Sequence, residues 1–204
     1  MTDVTLLAVS KTFGPEAVRE AHDAGQYAFG ENYIQEAVEK IVLLRELPLQ
    51  WHCIGPVQSN KTRLVAAHFH WVHTIDRLKT AQRLSDHRPP ELAPLQVCIQ
   101  VNIDGGAAKA GVAPEDAPAL AGEIAQLPRL KLRGLMTIPE PSDDVAVQLA
   151  LHTRTRALFD QLNAAGLRLD TLSMGMTADL EAAIVAGSTL VRVGTAIFGG
   201  RPSK

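Results

Sequence analysis

A lysine at the end of an apolar run is the first residue here with chemistry in reach. Val4–Ser10 is nearly continuous in apolar side chains and is followed by Lys11, so a buried strand there would deliver the Lys11 amine at its C-terminal tip. Partial burial would disfavour the ammonium form and free the neutral amine for attack on a carbonyl. Far along the chain, Ser173-Met174-Gly175-Met176-Thr177 and Gly194-Thr195 combine small hydroxyl residues with glycines. Such segments let backbone N–H groups approach a phosphate closely. The plain alternatives are a snorkelling surface cation for Lys11, a helix cap for Thr177 and a turn at Gly194.

Taken together, a carbonyl-reactive amine and a phosphate cradle fit one ligand class. Pyridoxal phosphate carries an aldehyde and a phosphate on a single ring. Other constellations carry less. Gly55–Thr62 approaches a nucleotide-binding P-loop, but Asn60 stands where the second glycine is required. His68, His70 and His73 would be splayed by helix-end and strand geometry, with no acidic or cysteine partner beside them. Asp76-Arg77 reads as a helix cap in preference to an ion pair. Cys53 and Cys98 lie far apart and form neither a C-x-x-C motif nor a disulfide framework.

Strand and helix patterns alternate along the chain and decide whether these residues can meet. Strands are expected at Val4–Ser10, Tyr27–Phe29, Trp51–Ile54, Trp71–Ile75, Leu95–Ile103, Leu132–Thr137, Asp170–Ser173 and Leu190–Val193. Between them lie helical repeats such as Ile34, Ala37, Val38, Ile41 and Leu44. This order predicts an α/β fold with a parallel sheet, and eight strands favour closure into a single-domain (β/α)8 TIM-like barrel over residues 1–204. An open doubly wound sheet usually announces itself with a Gly-rich first turn, and Lys11-Thr12-Phe13-Gly14 is not one. In a barrel the C-terminal strand ends converge on one mouth, where Lys11 and the last two loops would face each other.

The bulk numbers narrow the partners. With 204 residues, 46% hydrophobic and 21% charged, the composition is that of an ordinary globular domain. A formal net charge of −2 supplies no basic field for nucleic acid or an anionic membrane. No window approaches the roughly 20 apolar residues of a membrane span, and Met1–Ser10 has no signal-peptide pattern. A cytoplasmic protein is expected.

Longer stretches carry a resemblance. Leu6–Lys11, Phe29–Tyr33, Trp51–Lys61 and Val191–Gly199, with His73–Arg77, Arg133–Met136 and Leu172–Met176, closely resemble the pyridoxal phosphate homeostasis protein family. That family is itself similar to the N-terminal barrel domain of bacterial alanine racemase. The resemblance extends over essentially the whole chain. It implies pyridoxal 5′-phosphate bound as a Schiff base on Lys11, with the phosphate around Ser173, Met174, Gly175, Met176 and Thr177 and at Gly194-Thr195. It places Arg192 near the pyridine nitrogen and Asn32, Ile54 and Asn60 around the cofactor. A permanently charged guanidinium at the ring nitrogen keeps it unprotonated and makes the ring a poorer electron sink.

The role so implied is intracellular pyridoxal phosphate homeostasis by a monomeric carrier without strong catalysis, with pyridoxal phosphate-dependent apoenzymes as further partners. The alternative is an amino-acid racemase or lyase of low activity. Racemisation needs an acid/base group on each ring face, and in the racemase one comes from an additional C-terminal domain that a chain ending at Lys204 is expected to lack. Tyr27 and Tyr33 are the only tyrosines, both near the second strand. Two departures from the family stand out. An extra N-terminal helix before the first strand is expected to be missing, and Thr177-Ala178 replaces the usual serine and polar residue while keeping a hydroxyl. The segment Gly105–Gly111 is less polar than usual, which leaves Lys109 as the one candidate there.

Overall fold

The structure, a computed structural model, describes residues 3–106 and 109–200. Met1, Thr2, Ala107, Ala108 and residues 201–204 lie outside the described residues, and with them part of the Gly105–Gly111 segment. Strand and helix alternate throughout: β1 (Thr5–Val9), α1 (Pro15–Asp23), β2 (Ala28–Glu31), α2 (Ile34–Leu43), β3 (Gln50–Cys53), α3 (Thr62–His68), β4 (Trp71–Ile75) and α4 (Leu78–His87). The second half continues with β5 (Leu95–Gln100), α5 (Ala117–Ile124), β6 (Leu130–Met136), α6 (Val145–Ala164), β7 (Thr171–Ser173), α7 (Leu180–Val185), β8 (Leu190–Val193) and α8 (Thr195–Phe198).

The strands form a closed parallel barrel in sequence order, as the alternation predicts. Its seam joins the first strand to the last, pairing Thr5 with Leu190 and Ala8 with Val193. Strand bounds differ from the sequence reading by a few residues. β5 is regular to Gln100, beyond which Val101 still donates to the Met136 carbonyl of β6 and also bridges Val112, and β6 starts early, at Leu130, opposite Leu95.

Period-2 alternation sorts the side chains. On β1, Ala8 joins the large core between barrel and helices, while Leu7 turns inward against Ala28 and Leu190, with Ile54 packed on them. Trp71, Cys98 and Met136 form a second apolar cluster. Each fully buried large apolar side chain contributes about 1.5–3 kcal/mol. Gly30 packs tightly here: a Cβ would lie 3.1 Å from both Leu7 Cδ2 and Ile54 Cδ1, so these side chains would have to shift by a few tenths of an ångström to admit one.

One expectation fails at α4. The extended residue before this helix is Arg77, not Asp76, and the helix begins without a side-chain cap. Asp76 Oδ1 instead accepts from Arg77 Nε at 2.9 Å, so the pair is ionic.

Candidate functional site

The C-terminal mouth of the barrel holds a cavity of about 330 Å³. Inward positions on β1 run Leu7, Val9, Lys11, so the same alternation that buries Leu7 brings Lys11 to the cavity wall. Asn32 and Ile54 follow β2 and β3 into the same space, and Met176 and Thr177 come from the loop after β7. Arg192, Gly194 and Thr195 come with β8, which pairs with β1, so the last loop stands beside Lys11 and does not face it from the opposite side. Across the seam, Phe13 stacks on Phe198 with ring centroids 5.1 Å apart, tying the Lys11 loop to α8.

Four expected site residues do not line this cavity. Asn60 is exposed on the loop ahead of α3. Met174 is fully buried in the core between barrel and helices. Gly175 shapes its loop from behind: its φ is +96°, and a Cβ would come 2.5 Å from Ala183 Cβ. Ser173 points into the barrel axis and is fully buried there. Its hydroxyl serves Arg192 and His73 and does not join the mouth.

Arg192 is 4% exposed. Its Nη1 donates to Ser173 Oγ at 2.7 Å and its Nη2 to the Thr137 carbonyl at 2.8 Å. Burial pulls its pKa down to about 10, which still leaves a cation at neutral pH. Beneath it a polar chain continues down the axis. Ser173 Oγ and His73 Nδ1 are 2.8 Å apart, His73 Nε2 and His52 Nδ1 2.9 Å, and His52 Nε2 and Gln50 Oε1 3.0 Å. Burial, assisted by the Arg192 charge, lowers His73 to about 3. Burial, then His73 and His70, hold His52 well below the usual histidine range. Both rings are therefore neutral, and Trp71 stacks on His52 at 5.2 Å.

Behind Lys11 lies a second buried polar group. Glu31 Oε1 accepts from Ser10 Oγ and from Lys40 Nζ, each at 2.6 Å. Burial raises the Glu31 pKa although Lys40 and Ser10 both oppose it. The loop after β7 is shaped by Asp179, whose Oδ1 accepts from the Met176 N–H at 2.7 Å and whose Oδ2 lies 2.9 Å from His152 Nε2. Burial works against ionisation of Asp179, but those bonds outweigh it and hold the carboxyl below its ordinary range.

Sequence reasoning missed Glu31, Lys40, His52, His73 and Asp179. The usable signal was the polar residue at inward strand positions, since His52, His73 and Arg192 interrupt otherwise apolar strands.

The walls suit an anionic ligand bearing a carbonyl. Arg192 brings a buried positive charge, and Asn32 Oδ1 is a buried acceptor with no hydrogen-bond partner. Thr177 and Thr195 present exposed hydroxyl-bearing side chains to the same cavity as Lys11. Lys109 is engaged at one side, donating to Asp104 Oδ2 at 2.8 Å and to the Ile138 carbonyl at 3.1 Å. His68 bonds the Leu64 carbonyl and His70 accepts from the Trp51 N–H, far from the axial His73. Among the described residues no His/Cys/Asp/Glu group is placed to hold a metal.

Comparisons with known proteins agree with this geometry. The family described as the alanine racemase N-terminal domain matches residues 1–202. The chain is 62% identical over 198 residues to the pyridoxal phosphate homeostasis protein of Pseudomonas aeruginosa, covering 97% of this chain and 85% of that one. It is 54% identical over 202 residues to the protein of the same name from Escherichia coli K12, covering 98% and 86%. Among solved structures, PipY of Synechococcus elongatus with PLP bound superposes with a TM-score of 0.88 at 40% identity, over 96% of this chain and 92% of that one. The chain belongs to the alanine racemase N-terminal domain family, on its pyridoxal phosphate homeostasis branch.

Proposed function

We propose that this protein binds pyridoxal 5′-phosphate as a Schiff base on Lys11 and serves in pyridoxal phosphate homeostasis, as a carrier rather than a catalyst. The observation that carries the reading is one cavity shared by Lys11, Arg192 and the Thr177 and Gly194-Thr195 loops. The names of its relatives and the PLP-bound PipY structure support it.

The chemistry asked of Lys11 is a condensation. Its neutral amine adds to the aldehyde carbon, a C=N bond forms and one water leaves, with no oxidant or reductant required. The cofactor supplies that aldehyde and an electron-withdrawing ring. Arg192 offers a fixed positive charge to the ring side, and the Thr177 and Thr195 loops offer hydroxyl and backbone donors to the phosphate.

Weak catalysis follows from what else lines the cavity. Among the described residues its wall has no Asp, Glu, His, Tyr or Cys, so Lys11 is the one base in contact with the space. Tyr27 and Tyr33, 55% and 54% exposed, lie elsewhere. Proton exchange on both faces of a bound amino acid needs a second group. A cytoplasmic monomer that passes pyridoxal phosphate to apoenzymes completes the reading; no described helix is long and apolar enough to cross a membrane.

Mixing the protein with pyridoxal phosphate should give the visible absorbance of a Schiff base, and Lys11→Ala should abolish it. Borohydride reduction followed by peptide mass mapping should put the adduct on Lys11. An adduct confined to another lysine, or no visible band, overturns the binding assignment. Solvent-deuterium exchange into an amino-acid α-position at enzymatic rates overturns the carrier role in favour of a racemase or lyase.

A further inference from the structure

A fully buried ion pair lies directly behind the Lys11 segment. Lys40 and Glu31 side chains are 2% and 0% exposed, and Nζ meets Oε1 at 2.6 Å. Taking two charges out of water is costly, and apolar residues of similar volume often match or better such a pair in stability. Stability is thus a weak reason for its presence, and its contacts point to another.

Lys40 Nζ also donates to the Ser10 carbonyl at 3.0 Å, which is the acyl half of the peptide bond to Lys11. Ser10 Oγ donates to Glu31, and the Ser10 N–H donates to the Gly30 carbonyl at 3.0 Å. The N–H and hydroxyl of Ser10 are committed to β2, and its carbonyl is shared between Lys40 on α2 and the Phe13 N–H, which donates to it at 3.1 Å within the Lys11 turn. On the other side of Lys11, Thr12 has a φ of +69°, a left-handed conformation that costs a β-branched residue energy and persists only where surroundings enforce it. Two contacts hold it: the Phe13 N–H closes the turn onto the Ser10 carbonyl, and from outside the turn Glu36 Oε1 accepts from the Thr12 N–H at 3.1 Å. Glu36 is in turn 3.7 Å from Lys40 Nζ.

We propose that Glu31, Glu36 and Lys40 are positioning residues that clamp the backbone on both sides of Lys11, so that its amine enters the cavity in one direction. Orienting the condensing amine in advance raises the rate and extent of its reaction with an aldehyde. This rests on Lys11 being the condensing group.

The test pairs a core variant with a surface one. Glu31→Gln/Lys40→Met removes both buried charges at nearly constant volume, and Glu36→Ala removes the Thr12 acceptor at a partly exposed site where folding is not at risk. Three quantities are read: the thermal midpoint of the protein without cofactor, amide hydrogen exchange at residues 10–13, and the dissociation constant for pyridoxal phosphate from the visible band. The clamp predicts faster exchange at residues 10–13 in both variants with a nearly unchanged midpoint. It also predicts affinity weakened about tenfold in the double variant and several-fold in Glu36→Ala. Wild-type exchange and affinity in Glu36→Ala, or in a folded double variant, overturn it. Affinity that falls only in step with the midpoint does so too. Should wild-type protein form no adduct at Lys11, the functional reading fails by itself, while exchange in the cofactor-free protein still reports on the clamp.

Discussion

Arg192 Nη1 donates to Ser173 Oγ across 2.7 Å inside the barrel, and this bond gives direction to the polar chain below it. A guanidinium can only donate, so Ser173 Oγ accepts there and its own proton is free to go to His73 Nδ1. His73 then carries its proton on Nε2 and gives it to His52 Nδ1, and His52 donates from Nε2 to Gln50 Oε1. Every link has one donor and one acceptor with both imidazoles neutral. The reverse direction would leave the Ser173 proton without an acceptor at a fully buried site.

Ser173→Ala breaks both bonds of this hydroxyl and strands His73 Nδ1 and Arg192 Nη1. Unpaired buried groups of this kind cost about 1–3 kcal/mol. Urea denaturation should show a loss in that range, and pyridoxal phosphate binding should weaken as Arg192 loosens. A variant with wild-type stability would remove Ser173 from the chain.

Acid should weaken the fold before the carboxylates titrate. The folded-state pKa of His73, about 3, lies below its ordinary 6.5. The unfolded chain therefore binds the proton more readily, and stability present above about 6.5 is lost as pH falls toward 3, at about 1.4 kcal/mol per pH unit. His52 acts in the same direction, and Glu31, whose pKa is raised, acts against it at lower pH. Denaturation at pH 7 and about pH 5 should differ by about 2 kcal/mol or more. The ¹⁵N signals of both rings should stay those of a neutral Nε2–H tautomer; an imidazolium signal from His73 at pH 5 would contradict the chain.

Both thiols should be silent in the native protein. Cys53 and Cys98 are fully buried, and burial pushes each up to about 12, so almost no thiolate exists to react. A thiol reagent should label neither until denaturant opens the barrel. Prompt labelling of either one under native conditions would contradict their placement.

Gly175→Ala tests the bend after β7. The positive φ and the 2.5 Å approach to Ala183 both penalise a Cβ, and the loss should exceed about 1 kcal/mol. Because Met176 and Thr177 hang from this bend, affinity for pyridoxal phosphate should fall in the same variant. Calorimetry and the visible titration measure the two effects, and an alanine tolerated without cost would argue against a strained turn.

The barrel and the location of Lys11 were legible because both depend on local pattern. An apolar strand ending in lysine needs only alternation to place the amine at the mouth. Ser173 lies apart from the Met176-Thr177 loop that the sequence groups it with, because its inward register sends it down the axis toward Arg192, and sequence spacing alone does not show that register. Asn60 lies off the cavity because the loop after β3 is long enough to carry it into solvent. The His52–His73–Ser173 contact was hidden for a different reason: which inward side chains meet inside a closed barrel depends on stagger between strands, and one sequence does not display it.

The seam has a bearing on how this protein is made. Lys11 leaves the ribosome well before Arg192, Gly194 and Phe198, and β1 cannot zip to β8 until those residues follow. A nascent chain that stops short of β8 would carry the Lys11 amine without the Arg192 and Gly194 wall beside it. A bound ligand that grips both edges would then rivet β1 to β8, stabilising the strand pair with the largest loop to close.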